Sequence, residues 1–172
     1  MVPPSVLIVM GVAGAGKSVI GQHLAAALDW TFCDADDFHT PESIAKMASG
    51  IALDDADRAP WLSAIAAWID ALCAKGGRVV VACSALKRAY RSVLLGGRAD
   101  VRLVYLRGSR ALIASRMAAR SGHFMPASLL DSQFAALEEP GEAEAPITVP
   151  IDDTPTEIVM RIVREAGLGT TR

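Results

Sequence analysis

Gly11-Val12-Ala13-Gly14-Ala15-Gly16-Lys17-Ser18 matches the pattern G-x-x-x-x-G-K-[ST] at every constrained position. The run before it, residues 5–10, is apolar and rich in β-branched side chains, which is typical of a buried strand. After it, apolar residues recur at a helical spacing, at Ile20, Leu24 and Leu28. A strand, a glycine-rich loop and a helix in this order predict a phosphate-binding loop.

The residue types of this loop suit a polyphosphate, because glycines let the backbone approach the ligand and consecutive N–H groups form an anion-binding nest. The helix that begins near Lys17 adds its positive N-terminal end. Lys17 is expected to reach the β- and γ-phosphates, and the Ser18 hydroxyl is expected to ligate Mg²⁺. The predicted nucleotide-binding residues are Gly11, Gly14, Ala15, Gly16, Lys17, Ser18 and Val19. The loop alone leaves kinases, GTPases, ATPases and inert nucleotide binders open.

Composition narrows the class of protein. The 172 residues suit one domain, and 52% of them are hydrophobic, enough for a sizeable core. A net charge of -2 with no block of like charge, and only 5% aromatic residues, argue against nucleic-acid binding. No apolar stretch approaches the roughly 20 residues that span a bilayer, so no membrane association is expected. Three cysteines without a C-x-x-C pair favour reduced thiols and a cytoplasmic location.

Strand and helix patterns alternate along the chain, which predicts an α/β fold of the P-loop NTPase type. The sheet is expected to be parallel and five-stranded, with helices on both faces, because its strands are continuously apolar. The predicted strands are Val6–Met10, Thr31–Cys33, Arg78–Cys83, Val101–Leu106 and Ile147–Ile151. The predicted helices are 17–28, 41–49, 58–75, 85–95, 109–121, 126–137 and 155–166. Ligands of such sheets bind beyond the carboxyl ends of the strands, where Asp34, Asp36, Ser84 and Arg107 are expected.

Two carboxylates follow the second predicted strand. Asp34 and Asp36 would lie on the same side if the chain stayed extended there. Beside a phosphate site, one could hold Mg²⁺ through water and the other could accept a proton from an attacking hydroxyl. The alternative is helix capping or loop solvation, which is the better interpretation for Asp37 and Thr40.

Six ordered motifs resemble gluconokinase of the shikimate-kinase-like P-loop group, over about residues 6–165. After the loop come Asp34-x-Asp36-x-x-His39, Ile44-x-Lys46-Met47-x-x-Gly50, Leu53-x-Asp55-x-Asp57-Arg58-x-Pro60-Trp61-Leu62, Cys83-Ser84-Ala85-Leu86-Lys87-x-x-Tyr90-Arg91, Arg116-x-x-x-Arg120-x-Gly122-His123-Phe124 and Ser132-Gln133-Phe134-x-x-Leu137-Glu138-x-Pro140. The chain departs from that group at Ser43, often Asn, at Ala52, often Pro, and at Met125-Pro126 after the His-Phe pair. None of these departures removes a group that the chemistry requires.

The resemblance implies transfer of the γ-phosphate of ATP, with Mg²⁺, to the 6-hydroxyl of D-gluconate. Arg58 is then expected to bind the gluconate carboxylate, since its planar fork matches two oxygens. A surface salt bridge to Asp54, Asp55 or Asp57 is the alternative. Asp36 is the candidate base and Asp34 the candidate Mg²⁺ ligand through water, although the two could be exchanged. The candidates for the other gluconate oxygens are His39, Lys46, Arg91, His123 and Gln133.

The resemblance also implies a substrate-binding helical region at about 38–75 and a small helical lid at about 116–128. Arg116 and Arg120 lie four residues apart and so share one helical face. Arg116 would stack on adenine, with residues 150–155 near the adenine edge, and Arg120 would approach the transferred phosphate. A solvated helix face is the alternative for both arginines.

Other interpretations remain open for the whole chain. The resemblance allows a homodimer, although no patch in the sequence indicates one. A second kinase of the same fold, such as shikimate kinase, is a rival. That family usually carries a glycine triplet near its substrate carboxylate, whereas Gly76-Gly77 is only a pair and precedes its strand. A nucleotide-dependent regulatory module is the rival from another class.

Overall fold

The computed structural model of the protein describes residues 2–119 and 127–170, which form a five-stranded sheet covered by helices. All neighbouring strands pair in parallel, in the order β2-β3-β1-β4-β5. The strands are β1 (Val6–Met10), β2 (Thr31–Asp34), β3 (Val79–Ala82), β4 (Val101–Arg107) and β5 (Ile147–Pro150). Because β1 is central, the glycine loop that follows it leaves the sheet at the middle of its carboxyl edge.

Seven α-helices are present in the described residues, close to the predicted positions. They are α1 (Lys17–Leu28), α2 (Pro41–Ala48), α3 (Asp55–Cys73), α4 (Arg88–Leu95), α5 (Arg110–Ala119), α6 (Ala127–Ala136) and α7 (Pro155–Glu165). Within these ranges, none is both long and apolar enough to cross a membrane. Two 3₁₀ turns that the periodicity does not predict occur at Ala35–Phe38 and Glu142–Glu144.

Side chains of β1 alternate between two cores, because successive residues of a strand point to opposite faces. Leu7 and Val9 belong to one apolar cluster, which α1 and α7 cover with residues such as Leu24 and Ile162. Val6, Ile8 and Met10 belong to the other, which α3 and α4 cover. All five residues of β1 are completely buried. The prediction of a parallel sheet with helices on both faces is therefore confirmed.

Helix α3 begins at Asp55, three residues before the predicted start, because Asp54 and Asp57 form a reciprocal capping box. The Asp57 N–H donates to Asp54 Oδ1 at 2.8 Å, and the Asp54 N–H donates to Asp57 Oδ2 at 2.9 Å. Helix α4 begins at Arg88 and not at about residue 85, because Ala85 has a left-handed backbone with φ of 45°. Both helices carry residues of the candidate site described below.

Candidate active site

The glycine loop adopts the conformation that its residue types predict. Gly14 and Gly16 have φ angles of 82° and 92°, a left-handed region that disfavours other residues. A cavity of about 190 Å³ lies above the loop, lined by Gly14, Gly16, Lys17, Ser18 and Val19. Helix α1 begins at Lys17, so the unpaired N–H groups of its first turn lie beside this cavity. The arrangement offers an anion-binding site of the expected kind.

Lys17 folds back onto the loop, where its Nζ donates to the Val12 carbonyl at 3.1 Å. Burial lowers the pKa of Lys17 below its usual value of 10.5, and the negative charges of Asp36 and Asp34 partly oppose this shift. The lysine is therefore desolvated and close to both carboxylates that the sequence singles out.

Asp34 connects the loop to the segment after β2. Its Oδ2 accepts from Ser18 Oγ at 3.0 Å, and its Oδ1 accepts from the Asp36 N–H at 3.0 Å. Asp34 thereby caps the 3₁₀ turn at Ala35–Phe38, so the chain is not extended at this point. Strand alternation therefore does not place Asp34 and Asp36 on the same side. The 3₁₀ turn determines their relative position instead.

Oxygen donors near the loop suit Mg²⁺, which prefers hard ligands and keeps several waters. Ser18 Oγ and the Asp34 carboxylate are such donors, and they lie within hydrogen-bonding distance of each other. Across residues 2–119 and 127–170, no cluster of three or more His, Cys, Asp or Glu side chains could hold a metal ion on its own. A metal here would depend on phosphate oxygens and water for its remaining ligands.

His39 stacks on Trp61, with ring centroids 4.6 Å apart and an interplanar angle of 11°. Its Nε2 is 3.6 Å from Asp36 Oδ1. Its Nδ1 is buried without a hydrogen-bond partner among the described residues. Trp61 is itself fixed, since its Nε1 donates to the Ala35 carbonyl at 2.7 Å. Trp61 is buried in the core, and its ring also serves as the platform for His39.

Lys46, on α2, contacts the start of α3. Its Nζ donates to Asp57 Oδ2 at 2.5 Å, and this bond raises the pKa of Lys46 and lowers the pKa of Asp57. Asp57 accepts from the Asp54 N–H with the same oxygen. Lys46 is therefore held against the first turn of α3, with about a third of its side chain exposed.

Arg58 lies against Tyr90 of α4. Its Nη1 donates to the Tyr90 hydroxyl at 3.4 Å, and its guanidinium carbon is 5.8 Å from the ring centroid. The Tyr90 hydroxyl donates to Asp55 Oδ1, which also accepts from Lys87 Nζ at 2.9 Å. No carboxylate of the described residues lies within 4.0 Å of the Arg58 guanidinium, so the alternative of a salt bridge to Asp54, Asp55 or Asp57 is not found there.

Helix α5 crosses the glycine loop. A Cβ on Gly14 would lie 2.8 Å from Met117 Cγ, so only glycine fits beneath this helix. The preceding residue of the helix is Arg116, whose Nη2 donates to the Ile151 carbonyl just after β5. Arg116 and the segment predicted to border adenine are therefore adjacent. Thr154 of that segment caps α7.

Gln133, another candidate for the gluconate oxygens, contacts the glycine loop. Its Oε1 accepts from the Ala13 N–H of the glycine loop at 3.1 Å. Helix α6 therefore contacts the nucleotide side of the site, and this contact was not foreseen from the sequence.

Arg91 has a different environment from the one predicted, because its side chain is 1% exposed and fully engaged within the protein. Nε and Nη2 donate to the two carboxylate oxygens of Glu144 at 2.6 and 3.0 Å. Nη1 donates to the carbonyls of Ala85 and Leu86 at 3.1 and 2.9 Å. These contacts give Arg91 a structural role at the turn after β3. They leave no exposed part of the side chain to contact a substrate.

Arg120 and His123 lie outside the described residues, as does most of the predicted lid. Tyr90, Asp55 and Lys87 belong to the observed cluster although no role was predicted for them. The signal was present in the motifs that contain them, since Asp55 precedes Arg58 by three residues and Tyr90 follows Lys87 by three.

Comparison with known proteins gives consistent results. The profile of the family described as Shikimate kinase matches residues 13–165. The chain is 43% identical to a probable gluconokinase of Mus musculus, over 95% of this chain and 98% of that protein. It is 42% identical to a gluconokinase of Gluconobacter oxydans strain 621H, over 94% and 90% of the two chains. A solved gluconokinase from Sinorhizobium meliloti 1021 superposes with a TM-score of 0.85 at 41% identity, over 97% and 94% of the chains.

Proposed function

The chain belongs to the gluconokinase family, and on that premise we propose that it transfers the γ-phosphate of ATP to the 6-hydroxyl of D-gluconate. The products would be 6-phospho-D-gluconate and ADP. The observation that carries the proposal is the double contact of Asp34, which binds Ser18 of the phosphate loop and the backbone of Asp36. The Asp34 carboxylate thus joins the phosphate loop, where ATP would bind, to the segment around Asp36, where the sugar acid would bind.

The sugar-acid side of the site would use a cation for the carboxylate and polar side chains for the hydroxyl groups. Arg58 would bind the carboxylate through two parallel hydrogen bonds. His39 and Lys46 would contact hydroxyl oxygens, and His123 stays a proposal because it lies outside the described residues. Arg91 is left out of this set because its side chain is buried and engaged within the protein, and Gln133 because its amide oxygen is bound to the glycine loop. Arg58, His39 and Lys46 belong to the substrate-binding helical region proposed at about 38–75, whereas His123 belongs to the proposed lid.

Asp36 would orient the 6-hydroxyl and accept its proton. Its side chain is 83% exposed at the cleft, and its Oδ1 faces His39 Nε2. In a loose transition state, proton removal by a base contributes little, so positioning and charge neutralisation would supply most of the rate acceleration. Lys17 would leave the Val12 carbonyl and contact the β- and γ-phosphates, while the loop N–H groups hold the β-phosphate.

Mg²⁺ would be held by Ser18, with Asp34 in contact through water. When bound, it would neutralise charge on the phosphate oxygens of ATP. Arg116, beside the Ile151 carbonyl, would pack on adenine. Arg120 would approach the transferred phosphate from the lid proposed at about 116–128, whose closure would exclude water. A cytoplasmic location and a homodimer stay predictions from the sequence.

A coupled ADP-release assay with Mg-ATP tests this function by comparing D-gluconate, shikimate, related sugar acids and no acceptor. We expect turnover with gluconate, none with shikimate, and loss of turnover when EDTA removes Mg²⁺. Lys17→Ala, which alters the loop alone, should abolish the activity. Turnover with a different acid would replace the substrate. ATP binding without any acid-dependent turnover would instead favour a nucleotide-dependent regulatory module.

A further inference from the structure

The peptide unit between Val12 and Ala13 is held on both of its polar sides. Its N–H donates to Gln133 Oε1 at 3.1 Å. Its carbonyl accepts from Lys17 Nζ at 3.1 Å and from the Ala15 N–H at 3.1 Å. A single side chain of α6 thus fixes the peptide to which the lysine of the phosphate loop is docked.

The orientation of the Gln133 amide follows from chemistry. A backbone N–H only donates, so the oxygen and not the nitrogen of the amide must face Ala13. Gln133 also lies on the inward face of α6, three residues after Leu130 and four before Leu137, which both pack against the core. A half-buried amide on an apolar face needs a partner, and the Ala13 N–H supplies it.

We propose that Gln133 is a positioning residue for nucleotide binding and not a ligand of the sugar acid. By fixing the Val12–Ala13 peptide, it preorganises the phosphate loop and the resting place of Lys17. A loop that is already ordered binds more tightly, because less conformational freedom is lost on binding. Without the Gln133 acceptor, the Ala13 N–H would lose its partner and the loop would sample other conformations. The proposal deepens the proposed nucleotide site but does not depend on which acid is phosphorylated.

Gln133→Met tests the proposal, because methionine keeps the length of the side chain and removes the acceptor. Calorimetric titration with MgADP, without acceptor, should show binding about 3- to 10-fold weaker than in the wild type, the range of one lost hydrogen bond. The KM for gluconate at saturating ATP should change less than about 2-fold. The matched control is Gln22→Met, the same substitution at an exposed position of α1, which should leave both quantities unchanged.

Hydrogen exchange of the Ala13 amide gives a second measurement. It should be faster in Gln133→Met and stay slow in Gln133→Glu, because a carboxylate accepts the same hydrogen bond. Unchanged ADP binding in the Met variant would overturn the proposal, and a raised gluconate KM beside it would return Gln133 to the acceptor site. If the Met variant does not fold, fast Ala13 exchange in the Glu variant would overturn it equally. Because ADP binding needs no acceptor, weaker binding supports the proposal even if gluconate is not the substrate.

Discussion

Asp54, Asp55 and Asp57 precede Arg58 in the chain, yet each has another partner. Asp54 caps α3, Asp55 accepts from Tyr90 and Lys87, and Asp57 accepts from Lys46. Charge content alone would suggest a salt bridge for Arg58, but the aspartates that could form it are bound to other partners. The guanidinium stays half-buried against Tyr90, with no carboxylate of the described ranges in salt-bridge distance. At this scale, the neighbours of a cation determine whether it is available to a ligand.

Arg58→Ala should raise the KM for gluconate about 10- to 100-fold, the equivalent of losing charge-assisted hydrogen bonds worth roughly 1.5–3 kcal/mol. The KM for ATP should change less than about 2-fold, because Arg58 is remote from the glycine loop in sequence and has no contact with it among the described residues. Steady-state kinetics with each substrate varied in turn measures both. Arg88→Ala, at an exposed position of α4, is the control. An unchanged gluconate KM would contradict the carboxylate role.

Lys17 gives a prediction for the dependence on pH. Burial lowers its pKa below 10.5, so the free enzyme should lose the ammonium charge before an exposed lysine does. The kcat/KM for ATP should therefore fall on the alkaline side with a midpoint below 10.5, since this ratio reports the free enzyme. Lys17→Arg should remove that limb, because arginine stays charged. Circular dichroism at each pH controls for unfolding, and a midpoint at or above 10.5 would contradict the assignment.

At the scale of elements, the turn between β3 and α4 is held by a side chain and not by its own hydrogen bonds. Ala85 has a left-handed backbone, which costs a non-glycine residue about 1–2 kcal/mol. Arg91 offsets this by donating to the carbonyls of Ala85 and Leu86 while pairing with Glu144. The turn also borders the phosphate loop, since the Gly11 N–H donates to the Ser84 carbonyl at 3.4 Å.

Glu144→Gln should destabilise the protein by about 3 kcal/mol or more, because it leaves the Arg91 charge buried without its counter-ion. For a chain of this length, thermal unfolding should then shift down by roughly 6–12 °C. Arg91 lowers the pKa of Glu144 below 4.5, so the pair contributes stability above that pH and loses it as the pH falls through the lowered pKa. The difference between variant and wild type should therefore shrink in acid.

Glu142→Gln, an exposed position of the same 3₁₀ turn, is the matched control for Glu144→Gln and should shift the unfolding temperature by less than about 2 °C. Equal shifts for Glu142→Gln and Glu144→Gln would contradict a special role of the buried ion pair. A pH-independent difference between Glu144→Gln and the wild type would contradict it as well.

The sequence predicts elements well here because their signals are local. The strand-loop-helix motif and the apolar periodicity predict all five strands and every α-helix of the described residues. The starts of α3 and α4 are less well predicted, since a capping box and a left-handed Ala85 determine them. The turn that positions Asp36 is missed for a related reason, because Asp34 closes it through a side-chain contact.

Partners distant in the chain explain what the sequence does not predict at the site. Arg91 and Glu144 are 53 residues apart, and Gln133 and Ala13 are 120 residues apart. Residue type and motif indicate that these side chains belong near the site, but not which neighbour they bind. The resemblance to a kinase group therefore identifies the reaction and proposes the site residues, whereas the structure shows which neighbours the described ones contact.

At the scale of the whole molecule, the sheet order brings the site together. The glycine loop follows β1, Asp34 ends β2 and the Ala85 turn follows β3, so three neighbouring strands deliver their ends to one edge. Helices α5 and α6 approach the loop from the β4 side through Met117 and Gln133. Ligand binding at such an edge is the general property of open parallel sheets.

The central place of β1 has a consequence for the order in which the protein is made. Both neighbours of β1 in the sheet, β3 and β4, come later in the chain, and β4 ends at Arg107. A growing chain on the ribosome therefore carries its glycine loop before the strands that brace it exist. Closing these distant pairings is entropically costly and slow compared with forming a helix. The glycine loop is thus translated before the strands that give it its working shape.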